Sequence, residues 1–414
     1  MAQIQAKNNI TLVKKVNDIN IKLNKNFIDI LIFYIYVLMA FMICLILPSQ
    51  YAYTALFYVG VILAAVFFAA LAQNSKTKVF FNIFYSISFI VLFFVLGFRK
   101  FSGVDDITYM RIFGYVSQYG WVSRFIESKI EPGYLILNSI VSSFTDNYLY
   151  MQLITSFIPL ALFYHALKKY KNMINLPMAI FLLSTMIYFQ MVSTALVRMF
   201  ISVSIVFNAF YYVPQKNVKK YVFLILIAST FHYSALFMLI LVYFMLNNKK
   251  YSKKSKRFIL IGFLVTPFVF IILSKFVVPF MGSRYGNYGT IGDLSLKFSN
   301  FDTIPILILL LLYIKKFNGE KRNYYDLFIS IFALSSIMSF YSSLVSFGRL
   351  IFYANAAIFV AAPMVSKTLE ENYRKIIFYC IIIVYGFLYV YKTQFVLEAH
   401  IFNLFPYQNI FFQI

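Results

Sequence analysis

Apolar segments long enough to cross a bilayer recur along the whole chain. Each must be helical, because lipid offers no hydrogen-bond partners to backbone amides. We therefore expect an all-α polytopic membrane protein with about eleven full transmembrane helices. Their expected positions are residues 27–47, 51–72, 79–98, 149–167, 176–195, 197–214, 258–280, 303–316, 327–345, 350–366 and 375–392.

Two apolar segments have lengths that do not fit one simple crossing. Residues 132–146 are too short to span, and Pro132 suits the first turn of a helix, so an interfacial or re-entrant helix is expected. Residues 220–247 are long for one span, short for two, and polar in the middle. This pattern predicts a re-entrant hairpin of two half-helices with its tip at His232.

The polar segments divide the chain into one large domain and two ends. Residues 1–26 form a polar, lysine-containing tail, which we expect in the cytoplasm, and 27–392 form a single transmembrane domain. Within that domain, residues 99–148 are the longest polar interruption and are expected to be an extracytoplasmic catalytic loop. We place a second outer loop at 281–302 and an extracytoplasmic C-terminal segment at 393–414.

Composition narrows the class and the partners. Hydrophobic residues make up 62% of the 414 positions and charged residues only 12%, which excludes a soluble globular protein. A net charge of +23 could suggest nucleic acid, but in a membrane protein excess lysine marks cytoplasmic loops beside anionic lipid. We expect anionic lipids and no nucleic acid as partners.

The lysine clusters predict the orientation. With the N-terminus inside, the clusters around Lys76, Lys168, Lys216 and Lys367 all fall in the cytoplasm. Making 132–146 a full crossing would invert the loops that follow and place lysine clusters outside.

Arginine follows a different pattern from lysine. Arg99, Arg198, Arg284 and Arg349 fall at or near the outer ends of spans, as does His232. The guanidinium group binds phosphate through two parallel hydrogen bonds, so an outer set of arginines indicates a phosphorylated ligand. Anchoring to lipid headgroups, or pairing with acids, is the alternative for each of them.

Several short segments, in order, resemble the EpsG-type branch of Wzy-like polysaccharide polymerases over residues 97–407. One position departs from the family pattern, in which the arginine of the third segment is followed by glutamine and not by Met199. The segments are RKFSGVDDITY from Arg99, EPGYLILN from Glu131, QMVSTALVRMFIS with Gln190 and Arg198, ASTFHYSA around His232, GRLIFYANAAIFVAAP from Gly348, and FPY at Phe405 to Tyr407.

The resemblance implies a function on the outer face of the bacterial cytoplasmic membrane. Such proteins transfer a glycan from undecaprenyl pyrophosphate to the end of another lipid-linked repeat unit, and so build capsule, exopolysaccharide or O-antigen. A flippase and a chain-length regulator are implied partners. A relation to GT-C type glycosyltransferases is a further expectation.

The resemblance implies roles for the outer arginines. Arg198 and Arg349 are expected to clamp the pyrophosphate as its charge develops. Arg99 has two alternatives, a second phosphate contact or a structural pair with Asp105. The predicted substrate-binding set is Arg99, Arg198, His232, Arg349, Tyr109 and Arg284.

Three residues, Asp105, Glu131 and His232, are candidates for the base that removes the acceptor proton, and His232 is given a binding role instead. Asp105 is the first choice and Glu131 the second. Each has a structural alternative: Asp105 as a turn residue bonded to local amides, and Glu131 as the cap of the helix that begins at Pro132. Asp105 and Asp106 are adjacent and do not form a D-x-D metal motif, and the two cysteines lie in separate apolar segments. We expect metal-independent chemistry and no cofactor.

Two other functions compete with polymerisation. An O-antigen ligase would use a similar donor and a different acceptor. A lipid-linked oligosaccharide flippase or other transporter would place charges near the middle of the bilayer, often in repeated halves. Here the ionisable groups lie at span ends and no repeat is visible, which favours an enzyme.

Overall fold

The computed structural model describes residues 38, 42, 49–100, 105–188, 191–192, 196–246, 303–341, 350–369, 372–390 and 407–411. Nearly all of these residues are helical, and the extended pairing among them is one bridge between Arg99 and Asn409. The expectation of an all-α membrane protein is confirmed for this part of the chain. The tail at 1–26, the predicted span at 258–280 and the outer loop at 281–302 lie outside the described residues.

The helices are numbered here in chain order over the described residues. Shorter 3₁₀ segments follow α7, α8 and α10. The helices are α1 (Ser49–Asn74), α2 (Lys78–Gly97), α3 (Asp106–Ser128), α4 (Pro132–Ser142), α5 (Tyr148–Lys169), α6 (Leu176–Leu183), α7 (Val197–Ala209), α8 (Val218–Phe231), α9 (Ile240–Leu246), α10 (Ile304–Leu312), α11 (Gly319–Tyr341), α12 (Ile351–Asn355), α13 (Ile358–Thr368) and α14 (Asn372–Val390).

Four helical stretches in the described part are long and apolar enough to cross a membrane: Ala52–Asn74, Lys78–Gly97, Tyr148–Lys169 and Ile351–Thr368. Other predicted spans are shorter or interrupted. The one at 176–195, for example, begins as α6 and continues as a π-helical turn. The chain is a multi-pass membrane protein, and the number eleven stays a prediction.

Both segments of unusual length contain a short helix where one was expected. Residues 132–142 form α4, whose 11 residues cover only about 16 Å. Helix α8 ends at Phe231, His232 is extended, and a 3₁₀ segment then leads back alongside α8. The hydroxyl of Tyr221 donates to the carbonyl of Met238 at 2.6 Å, which fixes the two arms side by side. The break and the reversal of the chain at His232 agree with the predicted hairpin, and its re-entrant position in the membrane stays a prediction.

The polar segment 99–148 is helical over most of its length. Helix α3 buries Tyr109, Ile112, Phe113 and Val116, the spacing of one helical face. Gly120 breaks the helix with a positive φ of 78°, so α3 consists of two helical pieces. The charges of this segment are thus displayed by helices that pack on the bundle.

The core lies around α6, α7 and α13. Every residue of α7 except Arg198 is buried, and so is every residue of α13 from Ile358 to Ser366. Helices α1, α5 and α8 enclose this centre. Since Arg198 is the second residue of α7 and the other residues of the helix are uncharged, a single charge is carried near the start of this enclosed helix.

Lys168 and Lys367 lie at the opposite end of these helices from Arg99. Lys168, near the end of α5, donates to Asn82 near the start of α2 at 2.9 Å. Lys367, near the end of α13, donates to the carbonyl of Lys171 at 2.9 Å. Arg99 follows the other end of α2, which is about 30 Å away. The relative placement agrees with the lysine pattern, while the side of the membrane that each end faces stays a prediction.

Helix α4 approaches the hairpin tip so closely that only glycine fits at the contact. A methyl group on Gly133 would collide with the Thr230 side chain and lie 2.8 Å from the Thr230 carbonyl oxygen. Because the backbone of α8 cannot move aside without opening the hairpin, Gly133 sets the distance between α4 and α8.

The substitution Gly133→Ala is therefore expected to lower the free energy of unfolding by about 1–3 kcal/mol, the usual cost of overpacking. Thermal unfolding of the detergent-solubilised protein measures the change. Gly60→Ala is the matched control, because nothing lies within 4 Å of its added methyl group. Equal stability of the two variants would show that the α4–α8 contact is not tight.

Candidate functional site

A buried ion pair closes the connection between α2 and α3. The Nη2 of Arg99 lies 3.1 Å from Oδ1 of Asp106, and the two side chains are only 2% and 6% exposed. Arg99 Nη1 also donates to the carbonyl of Leu96 at 2.6 Å and to the hydroxyl of Ser156 at 3.2 Å. The expected partner was Asp105, and the acid that Arg99 contacts is its neighbour. This geometry favours the structural alternative for Arg99.

The backbone around Arg99 is held from two further directions. The side chain of Gln152 in α5 donates to the carbonyls of Gly97 and Arg99 at 2.8 and 2.7 Å. On the other side, Lys100 N–H donates to the carbonyl of Gln408 at 2.8 Å. The residues 407–411 thus form a C-terminal strap against the end of α2.

Side chains within the C-terminal strap reinforce this contact. The Tyr407 hydroxyl donates to the carbonyl of Val95 at 3.0 Å and accepts from Asn409 Nδ2 at 3.0 Å. The Oδ1 of Asn409 accepts from the Phe411 amide at 3.0 Å. The family-like FPY segment ends at Tyr407, so a structural role accounts for this residue.

Asp105 is more exposed to solvent than Asp106. It occupies the N-cap position of α3 and is partly exposed, whereas Asp106 is buried. Its side chain makes no capping hydrogen bond to the helix. This excludes a helix cap through the side chain, while the turn-residue alternative and the role of base both stay predictions.

The second buried ion pair joins α4 to α7 across the bundle. Arg198 Nη1 pairs with Oε2 of Glu131, which is fully buried, while 15% of the Arg198 side chain is exposed. Glu131 occupies the N-cap position before Pro132, but its carboxylate makes no capping bond. The capping alternative for Glu131 is therefore not supported by its contacts, and its partner is the arginine predicted to bind phosphate. Its candidacy as the base stays a prediction.

A chain of hydroxyl groups runs from His232 into the core beside this pair. Ser234 Oγ lies 2.6 Å from Nδ1 of His232 and 3.1 Å from the Tyr353 hydroxyl. Tyr353 continues at 2.9 Å to Ser202, which donates to the carbonyl of Ala228. Tyr353 also lies within electrostatic range of Glu131.

Sequence reasoning did not single out Ser202, Ser234 or Tyr353. The available signal was the position of these hydroxyl side chains inside otherwise apolar segments, and all three belong to the segments that resemble the family. Such hydroxyls need partners when buried. Their partners come from three different helices, which local sequence does not reveal.

Three tyrosines fill the space between the two ion pairs. The rings of Tyr109 and Tyr134 meet edge to face at 5.4 Å. Tyr134 lies within electrostatic range of Arg198, and Tyr148 lies within electrostatic range of Asp106 and Arg99. Tyr109 was predicted to bind substrate, but it is 3% exposed and packs in this cluster.

The remaining predicted residues are placed as follows. His232 is 5% exposed and lies at the hairpin tip beside the second pair. Arg284 and Arg349 lie outside the described residues. The described part of the chain holds no group of three or more His, Cys, Asp or Glu residues positioned for a metal ion.

This end of the bundle combines a partly exposed guanidinium with a buried carboxylate, and a partly exposed carboxylate lies at the start of α3. A guanidinium can stabilise a phosphate charge, and a carboxylate can accept a proton from a hydroxyl. The arrangement therefore fits the transfer of a group from a phosphorylated donor to an alcohol.

Neither a curated protein nor a solved structure matches the chain significantly. A model of the EpsG family matches residues 82–409, which include both ion pairs, the hairpin and most of the C-terminal strap. Because this match covers well over half of the sequence, the chain belongs to the EpsG family of Wzy-like polysaccharide polymerases.

Proposed function

We propose that the protein polymerises lipid-linked oligosaccharide repeat units on the outer face of the bacterial cytoplasmic membrane. It transfers a glycan from undecaprenyl pyrophosphate to the end of another lipid-linked repeat unit. The observation that carries the proposal is the Arg198–Glu131 pair, which holds a partly exposed guanidinium at the end of the bundle opposite the lysines.

Orientation follows from the lysine-rich end. Lysine clusters face the cytoplasm in most membrane proteins, so the arginine-containing end would face outward, with the N-terminus inside. A flippase delivers lipid-linked repeats to that outer leaflet, and a chain-length regulator acts on the product.

Arg198 is the proposed contact to the departing pyrophosphate. A guanidinium carries five N–H donors in a rigid plane, so it can bind a carboxylate along one edge and donate a hydrogen bond to a phosphate oxygen along another. Glu131 is fully buried and faces Arg198. In this proposal it positions the guanidinium, and Arg284 and Arg349 complete the binding of the anionic donor.

Asp105 is the proposed base for the acceptor hydroxyl. As the acceptor oxygen bonds to the anomeric carbon, its proton passes to the carboxylate and the pyrophosphate leaves with the electron pair of the broken C–O bond. The partial exposure of Asp105 allows contact with a sugar, which the burial of Asp106 does not. His232, held by Ser234, is assigned to sugar binding.

The first test concerns Arg198. Arg198→Ala should abolish long polymer in cells that lack their own polymerase, but it also strands the Glu131 carboxylate, which costs about 3–5 kcal/mol of stability. The double variant Arg198→Gln/Glu131→Gln removes both charges and should fold while making no polymer. Polymer length by gel electrophoresis and thermal unfolding are the measurements.

The matched control is Arg124→Gln/Glu127→Gln, which removes an exposed pair on α3 whose Glu127 side chain is 53% exposed. Exposed pairs contribute little, so stability and polymer should both stay near wild type. Normal polymer from a folded Arg198→Gln/Glu131→Gln protein would overturn the proposed role of the guanidinium.

The adjacent aspartates provide a second test. Asp105→Asn should reduce polymer synthesis by about 10²-fold or more with a smaller loss of stability than Asp106→Asn, because a general base typically contributes 10²–10⁴-fold. Asp106→Asn should instead lower thermal stability, since it leaves Arg99 buried without its counter-charge. The opposite assignment of the two effects would exclude Asp105 as the base.

The C-terminal strap provides a third test. Asn409→Ala removes the hydrogen bonds to Tyr407 and Phe411 and should reduce polymer yield severalfold by loosening the backbone at Arg99. Gln408→Ala is the control, because Gln408 contributes its backbone carbonyl to the contact. Equal yields from both variants would show that the side chains of the strap do not support the site.

A further inference from the structure

A lysine-lined cavity lies at the end of the bundle far from the ion pairs. Its volume is about 370 Å³, within the range of small-molecule sites. Four helices as long as a membrane is thick begin or end beside it, which places the cavity at the level of lipid headgroups. The lining residues are Gln73, Ser75, Lys76, Thr77, Lys78, Phe81, Lys171, Asn172, Leu176 and Lys367.

The cavity concentrates positive charge without an acidic group in its described lining. Two ammonium groups share one aromatic ring: the Nζ atoms of Lys171 and Lys168 lie 4.7 and 5.7 Å from the centre of Phe81. Lys367 is fixed beside them by its bond to the Lys171 carbonyl. Contacts with a ring and a carbonyl therefore hold like charges together despite their repulsion.

The backbone adds to this positive potential. Helix α2 begins at Lys78 with Thr77 as its N-cap, and both residues line the cavity, so the positive end of the helix dipole points toward it. The side chain of Asn172 supplies a neutral polar group at the same wall. Lysines, a helix start and amide groups are the donors that an anion requires.

We propose that this cavity binds a phosphate group, carried by an anionic lipid headgroup or by a soluble phosphate compound. A phosphate would neutralise the lysines that Phe81 and the Lys171 carbonyl hold together. The site is separate from the arginine-containing end and does not depend on the proposed polymerase activity.

Binding can be measured by native mass spectrometry on the full chain in neutral detergent. Phosphatidylglycerol is titrated against phosphatidylcholine in one arm, and pyrophosphate competes in the other. We expect Lys171→Gln/Lys367→Gln to weaken binding of phosphatidylglycerol or pyrophosphate roughly twenty-fivefold, from about a factor of five per lysine. Asn172→Asp keeps every lysine and should also weaken binding.

The matched control is Lys219→Gln/Lys316→Gln, which removes two exposed lysines that do not line the cavity. It should change affinity less than threefold. If the lysine substitutions weaken only the binding of phosphatidylglycerol, the cavity is a site for a lipid headgroup. If pyrophosphate competes for the cavity and this competition depends on the lysines, the cavity is a site for soluble phosphate. Equal weakening in both double variants, or no preference for either anion over phosphatidylcholine, would overturn the proposal.

Discussion

Burial of charge dictates the arrangement of the arginine-containing end. An unpaired guanidinium or carboxylate inside a largely apolar bundle is costly, so each buried charge must meet its opposite. Arg99 and Asp106 satisfy this constraint at the start of α3, and Glu131 with Arg198 satisfies it at the start of α4. The starts of α3 and α4 are thereby both attached to the transmembrane bundle, and the tyrosine cluster fills the space between them.

The same constraint separates the residues that build the site from those available to a substrate. Arg99, Asp106 and Glu131 are enclosed by their partners, whereas Asp105 and Arg198 keep part of their surface exposed. The close contact at Gly133 fixes the distance between α4 and the hairpin that carries His232. Rigid support thus comes from charge pairing, a glycine contact and the C-terminal strap together.

Much of the fold could be predicted from sequence because apolar length and lysine placement are local signals. They gave the helices that start near 51, 79 and 149 and the hairpin at His232. The partners of the charges could not be predicted in this way, since Glu131 and Arg198 are 67 residues apart. Solvent exposure could not be predicted from sequence either. A tyrosine can stack on a sugar ring, but Tyr109 is buried in the tyrosine cluster. For Asp105 and Arg198, chemistry and exposure agree, and they remain the strongest candidates.

The C-terminal strap also has a consequence for the order in which the protein is built. Tyr407 and the Val95 carbonyl that it contacts are 312 residues apart in sequence. During synthesis, α2 and α5 can enter the membrane and pair long before residues 407–411 leave the ribosome. Until then, the backbone around Arg99 lacks the hydrogen bonds that join it to the C-terminal strap. Assembly of the arginine-containing end is therefore among the last steps of biogenesis, after every described helix has been translated.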